Sequence, residues 1–410
     1  MPPTGQPDER PCAHRLRRRT QGRRKHGPAI KPGAAEESPI FQYVSGIVEP
    51  RMPMGGEPLP DSDIARLRAW IAEGAVDDTP AEARAPQAPK TPPLYTQPPV
   101  ITGMSFSPDG KWLAVGGYRE VLLHNADGSA VAARLLGRSE KISAVAFSKD
   151  SKRLVAVGGA PAKFGEVQVW DVDKRELERS ILVGADTLFG GALSPDAKRV
   201  VVGLPDKTVR VLDLETGKEV VRAGYHEDWV LDAAFGIDGQ RIVTVGRDRA
   251  AKLADASTGA FLENVNLLRD MLYAVKRHPR RDQVLIGGED RVPYLYLMDR
   301  PRALKIADDQ TLVREYPEQQ GRIHALAFSP DGGRIAVGGM SPEVTIYDTE
   351  TAALIAKCKT GPGVFVLSFS PDGKRLAAAG FDGEVRLFDA PTGELAEEFS
   401  STPLETVAKR

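Results

Sequence analysis

Seven copies of one short turn, spaced forty to fifty residues apart, constrain this chain more than any other feature. The clearest copy is Ser370-Pro371-Asp372-Gly373. Proline presets its own φ, aspartate bonds to nearby backbone and glycine accepts positive φ, so the four residues together reverse the chain tightly. Around that turn, the stretch from Gly363 to Phe399 reads as four strands. An apolar run containing Val364, Val366, Leu367 and Phe369 comes first, Arg375 to Ala379 second, the alternating Val385-Arg386-Leu387-Phe388 third, and Leu395 to Phe399 last. Turns at Gly380 to Gly383 and Asp389 to Gly393 separate them. Period-two alternation bounded by such turns predicts one antiparallel sheet.

The same unit recurs. Aligned on the residue before the turn, the copies fall at Phe106, Phe147, Leu193, Phe235, Arg277, Phe328 and Phe369, with spacings of 41, 46, 42, 42, 51 and 41 residues. Each is followed by the end of a third strand, at Asn125, Asp171, Asp213, Asp255, Asp299, Asp348 and Asp389. One four-stranded sheet cannot bury both its faces, but seven arranged in a ring bury each sheet between two neighbours. The fold class expected for residues 100–400 is therefore all-β, a seven-bladed β-propeller of four-stranded antiparallel sheets. Leu395 to Phe399 is expected to be the outer strand of the last blade, with Leu94-Tyr95-Thr96 as the alternative occupant of that slot.

Trp170-Asp171, its echoes Tyr347-Asp348 and Phe388-Asp389, and Tyr225-His226-Glu227-Asp228-Trp229-Val230 give residues 100–400 a resemblance to the WD-repeat propeller family. The resemblance implies a structural hydrogen-bond relay at His226, Thr244 and Asp248. The tryptophan that would complete it is Ala254 here. It further implies a non-catalytic protein-interaction scaffold, monomeric, with a protein partner of unknown identity. Trp229, Arg247 and Phe164 are the expected anchors, because aromatic and arginine side chains dominate such surfaces. Residues outside the common repeat length, Gly158 to Gly165 in the second unit and Asp299 to Gly321 in the fifth, are expected as surface loops. Arg300, Arg302, Lys305, Asp308 and Asp309 fall in the latter.

Ahead of the repeats the chain divides into three stretches: a basic tail over 1–26, a small mainly helical segment over 27–76, and a Pro-rich linker over 77–99. Residues 401–410 form a C-terminal tail. Seven of the eleven positions from Arg15 to Lys25 are basic without apolar periodicity. That pattern reads as a disordered tail or a mistranslated start, and offers the one feature suited to nucleic acid. In the small segment Asp61, Ser62 and Asp63 predict a helix start, Ile64, Leu67, Trp70 and Ile71 share a face, and Gly74 ends it. The Pro-rich stretch predicts an extended spacer.

The small segment resembles the C-terminal half of the planctomycete-type cytochrome c domain through Gly27-Pro28-Ala29-Ile30, Pro32-Gly33, Glu37-Ser38-Pro39, Arg51-Met52-Pro53 and the helix from Ile64 to Gly74. In that family the methionine of the Arg-Met-Pro motif is an axial haem ligand, which places the role on Met52 here. The implied alternative function is electron transfer, with the propeller docking a redox partner. Covalent haem needs Cys-x-x-Cys-His, and the chain has only Cys12-Ala13-His14. No cofactor is therefore expected in the chain as written, haem c following only if an upstream attachment segment has been lost. The resemblance implies export, although no export signal is visible.

Composition narrows the remaining classes. Of 410 residues, 41% are hydrophobic and 27% charged, with a net charge of −1, so no global excess favours nucleic acid or a membrane surface. Cys12 and Cys358 are the only cysteines, which excludes a disulfide framework. Apolar runs are far shorter than the roughly 20 residues a membrane-spanning helix needs. His14, His26, His124, His226, His278 and His324 show no metal-ligand spacing. Gly116-Gly117, Gly158-Gly159 and Gly338-Gly339 end second strands rather than opening helices, which favours close backbone approach over phosphate binding. With no nucleophile elbow in sight, no enzyme is expected.

Overall fold

The computed structural model describes residues 28–54, 56–76, 87–298, 308–361 and 363–405. Two compact units result, Met1–Ala85 and Pro86–Arg410. The basic stretch Arg15 to Lys25, the Cys12-Ala13-His14 segment and Asp299 to Lys305 lie outside the described residues.

The larger unit contains seven four-stranded antiparallel sheets among its described residues, each a simple meander. They occupy 104–136, 141–183, 190–223, 230–264, 272–315, 323–359 and 364–400, numbered here blades 1 to 7. First strands of consecutive blades lie side by side around a circle, and Met104–Phe106 of blade 1 neighbours Val364–Phe369 of blade 7, which closes it. The fold is thus the seven-bladed propeller that the repeat implied.

Burial follows the logic of the ring. Seven apolar clusters fill the seven blade-to-blade interfaces, one each. Between blades 3 and 4, for example, Val201, Val211 and Val221 meet Ala233, Phe235 and Ile242. Across the seam, Met104, Leu113 and Val115 meet Ala377, Val385 and Leu387. Second and third strands are buried on both faces, while fourth strands such as Leu395–Ser400 are largely exposed. The last blade is built wholly from C-terminal chain, with Leu395–Ser400 as its outer strand, paired to Glu384–Asp389.

Turn chemistry explains the repeat. In blade 1 the Ser107 hydroxyl donates to Asp109 Oδ1 (2.6 Å) and accepts from the Trp112 N–H (2.9 Å), while Gly110 takes φ +73°. The same Ser–Asp pair recurs at Ser148/Asp150, Ser194/Asp196, Ser329/Asp331 and Ser370/Asp372. Blade 5 has no such serine. There His278 Nδ1 accepts both the Arg280 and Arg281 N–H groups at 3.0 Å, closing the turn with an imidazole.

Residues 158–165 do not form the expected loop. They lengthen the second and third strands of blade 2, Arg153–Ala160 and Phe164–Asp171, to eight residues each. In the smaller unit, helix α1 spans Pro39–Ser45 and helix α2 spans Asp61–Ala72. The sequence predicted only the second, and its start differs from expectation. Pro60 is the N-cap, no side chain caps the helix, and Asp61 and Asp63 contribute charge in its first turn. Ile71 is buried with Ile30, Ala35, Phe41 and Ala75, and Ile64, Leu67 and Trp70 pack against that cluster.

Candidate interaction face

The end of the ring that carries the loops into first strands and between second and third strands is shaped by a repeated backbone irregularity. In blades 2, 4, 5, 6 and 7 the register between the first two strands slips by one residue near the start of the first strand. In blade 6, Ile323 pairs with Gly339 and Ala325 with Gly338, leaving His324 unpaired. Such a bulge re-aims the extra side chain. The five extra residues, Ser143, Leu231, Tyr273, His324 and Phe365, all line the central channel.

That channel encloses about 670 Å³ at this end of the ring. Its wall from blades 5 to 7 is aromatic. Tyr273 stacks on His324 at 4.7 Å, and His324 meets Phe365 edge-on at 5.6 Å. Burial holds the His324 imidazole pKa below its ordinary value. Lower in the wall, Lys276 Nζ lies 2.9 Å from Asp232 Oδ2, which also accepts the Val275 N–H at 3.1 Å. The Asp232 carboxylate is thus fully engaged by cation and backbone. Among the described residues no group of three or more His, Cys, Asp or Glu side chains could hold a metal ion.

Around the channel mouth the loops expose apolar side chains: Val100, Tyr118, Trp229, Met340 and Phe381, the last 69% exposed. Among the described residues, Ile237 is the large apolar residue exposed in a turn between first and second strands at the opposite end, where Leu177, Leu297, Leu354 and Leu395 are also exposed beside the turns between third and fourth strands. Trp229 is packed against two neighbours. It is 40% exposed, its ring stacks on Phe189 at 5.2 Å, and the Arg247 guanidinium lies 4.8 Å above it. A guanidinium resting over an indole is attracted to the face of its ring. Trp229 and Arg247 therefore stand together at the mouth. Phe164 does not join them: it is buried in blade 2, and as an expected anchor it is corrected.

His226, Thr244 and Asp248 meet behind this face. His226 Nδ1 lies 2.9 Å from Asp248 Oδ2, and His226 Nε2 lies 2.7 Å from Thr244 Oγ1. The Asp248 carboxylate also accepts the Glu227 N–H (3.0 Å) and pairs with Lys252 Nζ (3.0 Å). These partners hold its pKa well below the ordinary carboxylate range against the opposing effect of burial. Burial keeps the His226 pKa below its usual value despite the neighbouring carboxylate. Ala254 is buried and supplies no donor, while the Tyr225 hydroxyl reaches Thr244 Oγ1 at 3.3 Å. Asp248 ties the Tyr225–Trp229 loop to the blade 4 hairpin, which is how it bears on Trp229.

Other blades fill the same place with different chemistry, which the sequence reading missed. In blade 2 Trp170 Nε1 donates to Gln168 (3.1 Å), Gln168 donates to Glu166 (2.8 Å), and Glu166 accepts Ser139 (2.5 Å). In blades 3, 4 and 7 an aspartate of the hairpin pairs with a cation four residues on: Asp206–Arg210 at 2.9 Å, Asp248–Lys252 at 3.0 Å and Asp382–Arg386 at 2.7 Å. The repeated Asp-x-x-x-Arg/Lys spacing was a visible signal for these pairs.

In the smaller unit, Met52 lies in the loop between the two helices, 43% exposed, beside Arg51, Pro53 and Met54. Residues 28–76 contain no histidine or cysteine. The described core there is formed by Ile30, Ala35, Phe41, Ile71 and Ala75. Among the described residues of this unit, Met52 and Met54 both expose their thioethers, and no histidine or cysteine stands with them as a second axial donor or an attachment thiol.

Comparison with known proteins adds to this geometry. The family model of the anaphase-promoting complex subunit 4 WD40 domain matches residues 300–367 and 361–408. The model of the WD domain, G-beta repeat, matches residues 92–125. Autophagy-related protein 16 of Arabidopsis thaliana is 25% identical over 223 residues, covering 53% of this chain and 43% of that protein. An uncharacterized WD repeat-containing protein of Schizosaccharomyces pombe is 23% identical over 215 residues, covering 42% of this chain and 35% of that protein. The chain spans less than half the length of these curated relatives. The matches and the seven blades together support a WD-repeat propeller, and none of these four matches concerns a cytochrome.

Proposed function

We propose that this WD-repeat propeller is a non-catalytic protein-interaction scaffold that engages its partner through the loop end of the ring, around the channel mouth. The observation that carries the reading is the Phe189–Trp229–Arg247 stack. A large aromatic side chain, exposed yet held between a ring and a guanidinium, is the kind of anchor that dominates protein interfaces. Val100, Tyr118, Met340 and Phe381 expose apolar surface on loops at the same end, whereas the turns between first and second strands at the opposite end include Ser-Pro-Asp-Gly turns whose aspartates are spent on their own serine and backbone. Photo-crosslinking residues placed singly at Phe381 and at Pro371 of the full chain test the assignment. Capture of one partner from position 381 and not from 371 supports it. Capture from 371 alone moves the interface to the other end and overturns it.

The alternative reading, a haem-binding electron-transfer protein, rests on the resemblance at Arg51-Met52-Pro53. Its fit to the described residues is poor, because Met52 and Met54 are exposed there without a histidine or a cysteine. A visible absorbance scan of the purified chain decides between the two. A haem band would replace the scaffold reading with electron transfer.

A further inference from the structure

The ring has to be shut where blade 1 meets blade 7, and no strand is exchanged between those blades. Residues on either side of the seven blades meet at this seam instead. Tyr95 and Leu404 form a parallel bridge, and the Glu405 N–H donates to the Tyr95 carbonyl at 2.8 Å. The incoming segment also crosses to blade 7: the Ile101 N–H donates to the Gly380 carbonyl at 2.9 Å, and Pro98 packs so closely on Gly383 that a Cβ there would stand 2.4 Å from it. The outgoing segment crosses the other way. The Ser401 carbonyl lies 2.9 Å from His124 Nε2 of blade 1.

At the centre of the crossing lies Glu120, the first residue of a third strand and fully buried. Its carboxylate accepts the Tyr95 hydroxyl at 2.7 Å and a two-pronged contact from Arg134, Nε to Oε2 and Nη2 to Oε1, each 2.7 Å. Arg134 Nη2 also donates to the Pro93 carbonyl at 2.7 Å, and the guanidinium lies 5.7 Å from the Tyr95 ring centre. The Tyr95 hydroxyl in turn accepts the Tyr118 N–H at 3.1 Å. A buried carboxylate demands such partners, because an unpaired charge there is strongly unfavourable. Two of its three hydrogen bonds come from blade 1 itself, and the third comes from the incoming segment.

We propose that the ring is held shut by a clasp of these two flanking segments, pinned by Tyr95 on Glu120, and that the clasp sets the blade 1 wall of the channel mouth. Pro99, Val100, Gly117 and Tyr118 form that wall. All four either lie in the incoming segment or sit within a residue of an atom the Tyr95 hydroxyl holds. This separates the segment from a passive tether: residues 87–99 are part of the ring's closure.

Amide hydrogen exchange on the full chain tests the clasp, comparing wild type with Tyr95→Phe and with Glu120→Gln, both close in shape to the original side chains. Faster exchange by about tenfold or more is expected at Ile101, at Met104–Phe106 and at Tyr118, with Val230–Phe235 on the far side of the ring unchanged. The double variant is expected to be no worse than the more severe single, since both remove one shared contact. Unchanged exchange at the seam in both variants would overturn the proposal, as would an equal rise in every blade.

Discussion

A Cβ built on Gly339 would lie 1.9 Å from the carbonyl oxygen of Arg322. Equivalent contacts occur at Gly158 with Lys141 (2.0 Å), Gly246 with Trp229 (2.2 Å), Gly288 with Met271 (1.9 Å) and Gly380 with Gly363 (1.9 Å). These are the five blades whose first strand is bulged. The glycine admits the carbonyl, the carbonyl marks the bulge, and the bulge sends an extra side chain into the channel. Gly339→Ala is expected to cost about 2–3 kcal/mol in urea unfolding, as overpacking against rigid backbone does. An unchanged midpoint would show that the close approach is not required.

The turn glycine of blade 1 acts through φ alone. Gly110 has φ +73° with open space around it, so Gly110→Ala is expected to cost only about 1 kcal/mol. Ala197 occupies the corresponding place in blade 3 at φ +58°. Ala197→Gly is therefore expected to raise stability, by up to about 1 kcal/mol. Thermal unfolding of the two variants should show opposite signs.

Asp248 should matter to stability well beyond a surface carboxylate. Asp248→Ala strands the buried His226 and Lys252 groups and frees the Glu227 N–H, and is expected to cost about 3 kcal/mol. Denaturant unfolding measures it, and a change below about 1 kcal/mol would contradict the relay's structural role.

Mild acid should weaken the fold through its buried imidazoles. His124, His226, His278 and His324 all have pKa values lowered by burial. Their neutral forms are favoured in the folded chain, so as pH falls the unfolded chain takes up protons first. The contribution is complete above the ordinary imidazole pKa of about 6.5 and is lost as pH drops below it, each extra proton worth up to about 1.4 kcal/mol per pH unit. Unfolding midpoints should be highest at pH 7.5, lower at pH 6.5, where about half of the unfolded chain's imidazoles are charged, and lower again at pH 5.5. Equal midpoints at all three would sink this.

Much of the ring was legible in the sequence because its period is carried by local chemistry. Ser107 and Asp109, Ser370 and Asp372, and the strand-end aspartates form bonds within a few residues of themselves, so pattern and contact coincide. Blade 5 was legible only through its spacing, since His278 replaces serine by an imidazole that no turn rule anticipates. The bulges were hidden: Gly338-Gly339 signalled close approach, but which residue it would release into the channel depends on register between strands. Trp229 and Arg247 were visible as residue types, whereas Phe164 looked equivalent and is buried because the blade 2 hairpin is longer. The Tyr95–Glu120–Arg134 contact joins residues up to 39 positions apart and has no periodic signature. Helix α1 is seven residues long, too short for a 3.6-residue period to emerge.

The scaffold reading stands most directly on Trp229. The dissociation constant of the partner captured through position 381 should be measured for the wild-type chain and for Trp229→Ala under the same salt. A loss of about 2 kcal/mol, roughly thirtyfold weaker binding, is expected of an anchor of this kind. Binding by Trp229→Ala with undiminished affinity would place the interface elsewhere on the molecule.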